Sequence, residues 1–212
     1  MNLRPRVLIF SLAYYPFVGG AEVAVKEITK RLPEFEFKII SANVKSLWSK
    51  YWYPIWASDQ AIREHAEKPY DLVWAIMANQ AGMAAARFKN QFPEVPFLLT
   101  LQEGDDLSSW AYRWRLLGPQ LFKVFERADY LQTISNYLAD WARGQGTRAP
   151  IEVVPNGVDI KKFQTVGFVE HREEQKIIIT TSRLVKKNGL DDLISALPFL
   201  PRTVRLKIFG SG

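Results

Sequence analysis

The sequence predicts an α/β protein: a doubly wound parallel sheet followed by the start of a second, larger domain. Three observations carry this. Short apolar runs recur along the chain, most are continuous and not alternating, as in strands buried on both faces of a parallel sheet, and helical patterns separate them.

The strands expected in the first domain are "RVLIFSL" (6–12), "EFKIISA" (36–42), "DLVWAIM" (71–77), "PFLLTLQ" (96–102), "DYLQTIS" (129–135) and "IEVVPN" (151–156). Between the first two, Ala21, Ala24, Val25, Ile28 and Leu32 share one helical face, with Glu22, Lys26 and Lys30 largely away from it. The first domain is expected over 1–163 and a linker of mixed polarity and high charge over 164–175. A βαβ unit over 176–212 follows: "KIIITTSRL" as a strand, "NGLDDLISALPFL" as a helix with Leu190, Leu193, Ile194 and Leu197 on one side, and "RLKIFGSG" as a strand. Two strands and one helix cannot bury a core of their own, so this unit is expected to be the incomplete beginning of a larger domain.

Composition excludes several classes. With 48% hydrophobic and 24% charged residues, the 212-residue chain is an ordinary globular sequence, and its longest apolar runs fall far short of the roughly 20 residues of a spanning helix. The lack of cysteine excludes disulfides, thiolate metal sites and a cysteine nucleophile, and fits a cytoplasmic location. The net charge of +6 is dispersed, so no nucleic-acid partner is expected, whereas an anionic small molecule or bilayer face would suit it.

Gly19 and Gly20 sit between the first strand and the first helix, where backbone N–H groups and the helix dipole favour an anion. Their spelling is neither GxGxxG nor GxxxxGK[ST], which weakens a dinucleotide or P-loop reading. The competing reading is a tight turn that needs positive φ.

Four motifs, in order, resemble the family 4 glycosyltransferases of the GT-B fold: "PFVGGAE" (16–22), "ADYLQTISNYLADW" (128–141), "VVPNGVDIKKF" (153–163) and "TTSRLVKKNGLDDLISAL" (180–197). The resemblance implies two Rossmann-like domains, an acceptor side in the first and a nucleotide-sugar donor side in the second, with transfer of a hexosyl-type sugar, retention of configuration and no cofactor or metal. It gives Gly19 and Gly20 an approach to the donor diphosphate, and matches Arg183 and Lys187 to the basic pair that holds it. A guanidinium fork and an ammonium suit the charge that builds on the leaving nucleoside diphosphate. Arg183 is expected to end a buried strand. Asn188 stands between Lys187 and the glycine, so Lys186 remains a substitute for Lys187.

Asn156, Gly157 and Asp159 match a cleft and hinge loop, where Gly157 is expected at positive φ, and Asn156 and Asp159 either cap local N–H groups or contact ligand. Where many family members place a histidine, this chain has Gln102, which can orient a hydroxyl but cannot act as a base. Gln102 and its neighbour Glu103, which can take a proton, are the catalytic candidates. Tyr14, Tyr15, Asp105 and Asp106 are acceptor-side candidates. The competing reading of the acidic group is a helix cap and a solvated turn.

Trp48, Trp52 and Trp56 lie among Lys45, Lys50, Tyr51 and Tyr53, and Trp110 and Trp114 beside Arg113 and Arg115. Basic residues mixed with aromatics suit a peripheral contact at the inner membrane face and a lipid-linked acceptor or cell-surface polysaccharide precursor. Core aromatics and sugar-stacking platforms are the competing reading, and Pro54 is expected to break any single helix through the first cluster. As written, the chain is expected to bind donor weakly and transfer sugar poorly. An oxidoreductase lacks its glycine fingerprint here, and a non-catalytic half-protein acting as an interaction partner or split subunit is the alternative.

Overall fold

The computed structural model describes residues 4–16, 19–42, 47–103, 118–164 and 176–212. They fall into two compact units, Met1–Val158 and Asp159–Gly212.

In the first unit β1 (Arg6–Ser11), β2 (Glu36–Ser41), β3 (Leu72–Ile76), β4 (Phe97–Leu101), β5 (Tyr130–Thr133) and β6 (Ile151–Val153) form one parallel sheet in the order β2-β1-β3-β4-β5-β6. Between them run α1 (Gly20–Arg31), α2 (Leu47–Glu67), α3 (Gln80–Gln91), α4 (Gly118–Arg127) and α5 (Asn136–Gly144). Alternate strand residues serve opposite faces. Val7, Ile9, Trp74 and Ile76 pack with Ala21 and Val25 of α1, while Leu8, Phe10, Val73, Ala75 and Leu99 pack with residues of α2 to α5. The sheet is therefore doubly wound, as its continuous apolar strands require. The chain leaves β1 in one direction to reach β2 and then returns to β3 on the other side. The β1/β3 boundary is thus the topological switch point, and ligand sites in such sheets open beyond the C-terminal ends of the strands there.

Close packing needs small residues on α3. Ala81, Ala84 and Ala85 are fully buried, and a Cβ on Gly82 would lie 2.8 Å from a methyl of Val124 on α4. The missing side chain lets the two helices meet.

Two expectations about helices need correction. Pro54 does not break the first aromatic cluster, because α2 runs unbroken through it. An interior proline costs about 3 kcal/mol, and the inward face of the helix, with Tyr53, Ala57 and Ala61 fully buried, opposes that cost. The Tyr53 hydroxyl donates to the Ile40 carbonyl (2.6 Å), tying α2 to β2. On α1 the buried stripe is narrower than its periodicity predicts, since Ile28 is 40% exposed while Ala21 and Val25 are buried.

At the N-terminal edge of the sheet, Arg6 donates to Glu36 (2.9 Å) and to the Lys68 and Pro69 carbonyls, and lies over the Tyr70 ring. Lys38 and Lys68 pair with Glu64 and Glu36. Ion pairs thus gather around the starts of β1 and β2.

In the second unit β7 (Lys176–Thr181) pairs in parallel with β8 (Val204–Phe209). They are joined by a tight turn at Lys186–Asn188, α6 (Leu190–Ala196) and a turn at Leu197–Phe199. None of its described residues is buried. The expectation that Arg183 ends a buried strand is corrected accordingly: among the described residues β7 pairs with β8 alone, and Ile177 and Ile179 are exposed.

Candidate functional site

The loop after β1 ends in Gly19, which precedes α1 in an extended conformation (φ −136°, ψ 176°) and provides no side-chain cap. The Val23 N–H donates to its carbonyl (3.1 Å). Neither Gly19 nor Gly20 has positive φ; among the described glycines only Gly146 and Gly189 do. The tight-turn explanation of the pair therefore fails. A Cβ on Gly20 would enter open space, and one on Gly19 would press only on the movable Glu22 carboxylate. Among the described residues nothing requires bare backbone there. Beside this loop the Tyr14 and Tyr15 rings meet edge to face (6.0 Å), and the Lys26 ammonium sits 3.7 Å above the Tyr15 ring.

Across the switch point, β3 is followed by Met77, a non-glycine residue at φ 71°. This left-handed backbone costs of order 1–3 kcal/mol and persists only where its surroundings enforce it. Here the enforcing bonds are visible. The Met77 N–H donates to the Thr100 carbonyl (2.8 Å), and the next N–H, of Ala78, donates to Glu103 Oε1 (2.7 Å). Asn79 then caps α3 by accepting from the Ala81 N–H (3.0 Å).

Glu103 is the second residue after β4. Its Oε2 is buried and has no hydrogen-bond partner among the described residues. Burial pushes its carboxyl up to about 7, against the N–H of Ala78 and the backbone at Glu103 and Gln102, which lower it. The folded state thus keeps a proton that the unfolded chain releases near its ordinary value of about 4.3. Stability from this group is complete below that value and is lost as pH rises through about 7. Glu103→Gln keeps an acceptor for Ala78 and removes the ionisation. In urea unfolding the variant is expected to be the more stable by up to about 3 kcal/mol above pH 7, with the gain vanishing in mild acid.

Gln102 and Asn156 come together: the Gln102 amide donates to Asn156 Oδ1 (3.0 Å), joining the loops after β4 and β6. Gly157 is corrected. It lacks the positive φ expected of it and has open space around it, because the loop runs on without a tight turn. Asp159 does what the capping reading expects, its carboxylate accepting from the Lys161 N–H (3.1 Å). Asp105 and Asp106 lie outside the described residues.

In the second unit Arg183 and Lys187 flank a compact turn. The Asn188 amide donates to the Arg183 carbonyl (2.6 Å), and Gly189 takes the left-handed conformation that ends the turn. That explains the residue between Lys187 and Gly189: Asn188 fastens the turn that presents the basic side chains. The Ser182 and Leu184 N–H groups donate to Phe209 and Ser211. A Cβ on Gly210 or Gly212 would collide with the Ser182 or Leu184 carbonyl. These two glycines, and the Met77–Ala78 turn, are site-supporting features that sequence reasoning missed. The terminal "GSG" signalled the first; nothing in "IMANQ" except the Asn79 cap signalled the second.

Among the described residues no cluster of three metal-ligating side chains is present, and no helix is long and apolar enough to cross a membrane.

Comparison with known proteins gives two results. The sequence profile of Glycosyltransferase Family 4 matches residues 18–162. The chain is also 25% identical over 189 residues to the "Putative teichuronic acid biosynthesis glycosyltransferase TuaC" of Bacillus subtilis (strain 168). That alignment takes in 82% of the chain and 42% of the relative, so the chain spans less than half the length of this relative.

Proposed function

The chain belongs to glycosyltransferase family 4, and on that premise we propose that it serves the transfer of a hexosyl-type sugar from a nucleotide-diphosphate sugar to an acceptor. The observation that carries this reading is the Gly19–Gly20 pair. It stands beside the sheet's switch point with no positive φ and, among the described residues, no packing demand, which fits the close approach of a ligand. The first turn of α1 offers backbone N–H groups to an anion. We assign Gly19, Gly20, Arg183 and Lys187 to the donor diphosphate, and Tyr14, Tyr15, Asp105 and Asp106 to the acceptor side, in a GT-B arrangement.

In the transfer, the bond between the anomeric carbon and the diphosphate breaks and its electron pair leaves with the nucleoside diphosphate. The acceptor oxygen takes that place on the same face of the sugar, and the hydroxyl proton passes to the departing phosphate oxygens. Arg183 and Lys187 stabilise the leaving charge without a resident metal. Gln102, already held by Asn156, orients a sugar hydroxyl. The test is nucleoside diphosphate release from a panel of nucleotide sugars in the presence of saccharide acceptors. Sugar-dependent release supports the reading, with slow turnover expected of this chain. No transfer, together with capture of a second subunit that restores it, supports the alternative of a non-catalytic partner. The replacement of the family's histidine by Gln102 favours that alternative.

The acceptor is proposed to be a lipid-linked or cell-surface polysaccharide precursor met at the cytoplasmic face of the membrane. The relative's name places it in teichuronic acid biosynthesis, which agrees with such a precursor. On α2 the aromatic cluster divides: Tyr53 turns into the core, while Tyr51, Trp52, Ile55 and Trp56 are exposed at helix spacing. Amphipathic rings on one helix face suit headgroup depth. Sedimentation with anionic vesicles is expected, and weaker sedimentation of Trp52→Ala/Trp56→Ala; a chain that stays in solution counts against membrane contact.

A further inference from the structure

We propose that Glu103 is a positioning residue, whose carboxyl locks the left-handed Met77–Ala78 turn and through it sets Asn79 and the first turn of α3 beside the β1/β3 switch point. Three independent features meet here. Met77 adopts φ 71°, which a side chain disfavours. The peptide N–H that follows it donates to Glu103 Oε1 at 2.7 Å, the short end of the N–H···O range and open to either protonation state of the carboxyl. The other carboxyl oxygen is buried and without a partner among the described residues, so the side chain is turned inward and not towards solvent. A group placed to exchange protons with a bound hydroxyl would expose that oxygen.

The turn has a consequence two residues on. Asn79 Oδ1 accepts from the Ala81 N–H, and the Asn79 carbonyl accepts from the Met83 N–H (3.0 Å). Rotation of the Met77–Ala78 peptide would displace this cap, and the start of α3 with it. Thr100 holds the turn from one side through the Met77 N–H, and Glu103 holds it from the other. Both come from β4 or the residues just after it, so the end of β4 shapes the end of β3. That the turn faces a sugar substrate rests on the transferase reading; that Glu103 fixes it does not.

The test uses the whole chain and needs no sugar transfer. Amide exchange is followed at Ala78 and Ala81, and the Met77 methyl resonance is read among the chain's three methionines. Glu103→Leu fills the volume but removes the acceptor. Exchange is expected to quicken about tenfold or more at Ala78, and also at Ala81, which Glu103 does not touch, with a shifted Met77 methyl. Glu103→Gln is expected to keep all three near the wild-type values. In Glu103→Leu/Met77→Gly, glycine adopts the left-handed turn unaided, so Ala81 protection returns while Ala78 stays fast. Unchanged Ala81 exchange and an unmoved Met77 methyl in Glu103→Leu overturn the proposal. If Glu103→Leu does not fold, the double variant decides: folding supports the lock, and failure to fold overturns it. Loss of transfer in the wild type would remove the transferase reading and leave these results standing.

Discussion

Replacing Arg183 with alanine is expected to weaken binding of a nucleoside diphosphate about 10- to 100-fold, the value of a charge-assisted hydrogen bond at about 1.5–3 kcal/mol. The expectation follows from how the side chain is presented. Arg183 is exposed and follows β7, and its own carbonyl is fastened by the Asn188 amide. The backbone at Ser182 and Leu184 is pinned to the last residue of β8 and to Ser211 just after it. The guanidinium is thus carried by a braced turn, and less entropy is lost when it grips a phosphate. Arg183→Lys keeps the charge but loses the fork and should recover only part of the affinity. Asn188→Ala leaves both cations in place and frees the turn, so its smaller loss would measure the bracing. Isothermal titration with a nucleoside diphosphate checks all three. Equal affinity for wild type and Arg183→Ala would remove Arg183 from the site.

Phe88→Ala is expected to cost about 3–5 kcal/mol of stability. Phe88 is fully buried on α3, 5.0 Å from the Phe92 ring and 5.3 Å from His65. His65 accepts the Tyr70 N–H on Nδ1 (3.0 Å), and burial holds its pKa below the ordinary histidine value. The imidazole is therefore neutral in the fold. As pH falls below about 6.5, the unfolded chain binds a proton that the native state does not, and stability falls with it. A cavity at Phe88 admits solvent to His65 and should flatten this acid dependence as well as lowering stability throughout. Urea unfolding near neutral pH and near pH 5 separates the two effects. An acid slope as steep as that of wild type would mean that Phe88 does not shield His65.

The six strands of the first unit could be read from the sequence because burial on both faces leaves a continuous apolar run, and each observed strand lies within its predicted run. Helix faces were less legible. Pro54 counted as a break, yet the packing of Tyr53, Ala57 and Ala61 outweighs the lost hydrogen bond. At the candidate site, position between strand and helix marks out Gly19 and Gly20 for an anion, whereas Arg183 and Lys187 enter only through the family resemblance of their motif. Gly157 was misjudged because a glycine between asparagine and valine invites a turn that the open loop never makes. The Met77 turn was not legible at all. A left-handed methionine has no signature in sequence, since what enforces it is a carboxylate that lies 26 positions further on and is brought beside it by β3–β4 pairing.

The central claim is that the glycine loop after β1 and the basic turn after β7 bind the diphosphate of a sugar donor. Titration of the isotopically labelled chain with a panel of nucleoside diphosphates, followed by amide chemical shift, tests it most directly. The predicted result is saturable movement of Gly19, Gly20, Arg183 and Lys187, with the ion-paired N-terminal edge around Arg6 and Glu36 unmoved. If no member of the panel moves the Gly19 and Gly20 resonances, or if the shifts gather at that opposite edge, the account is contradicted.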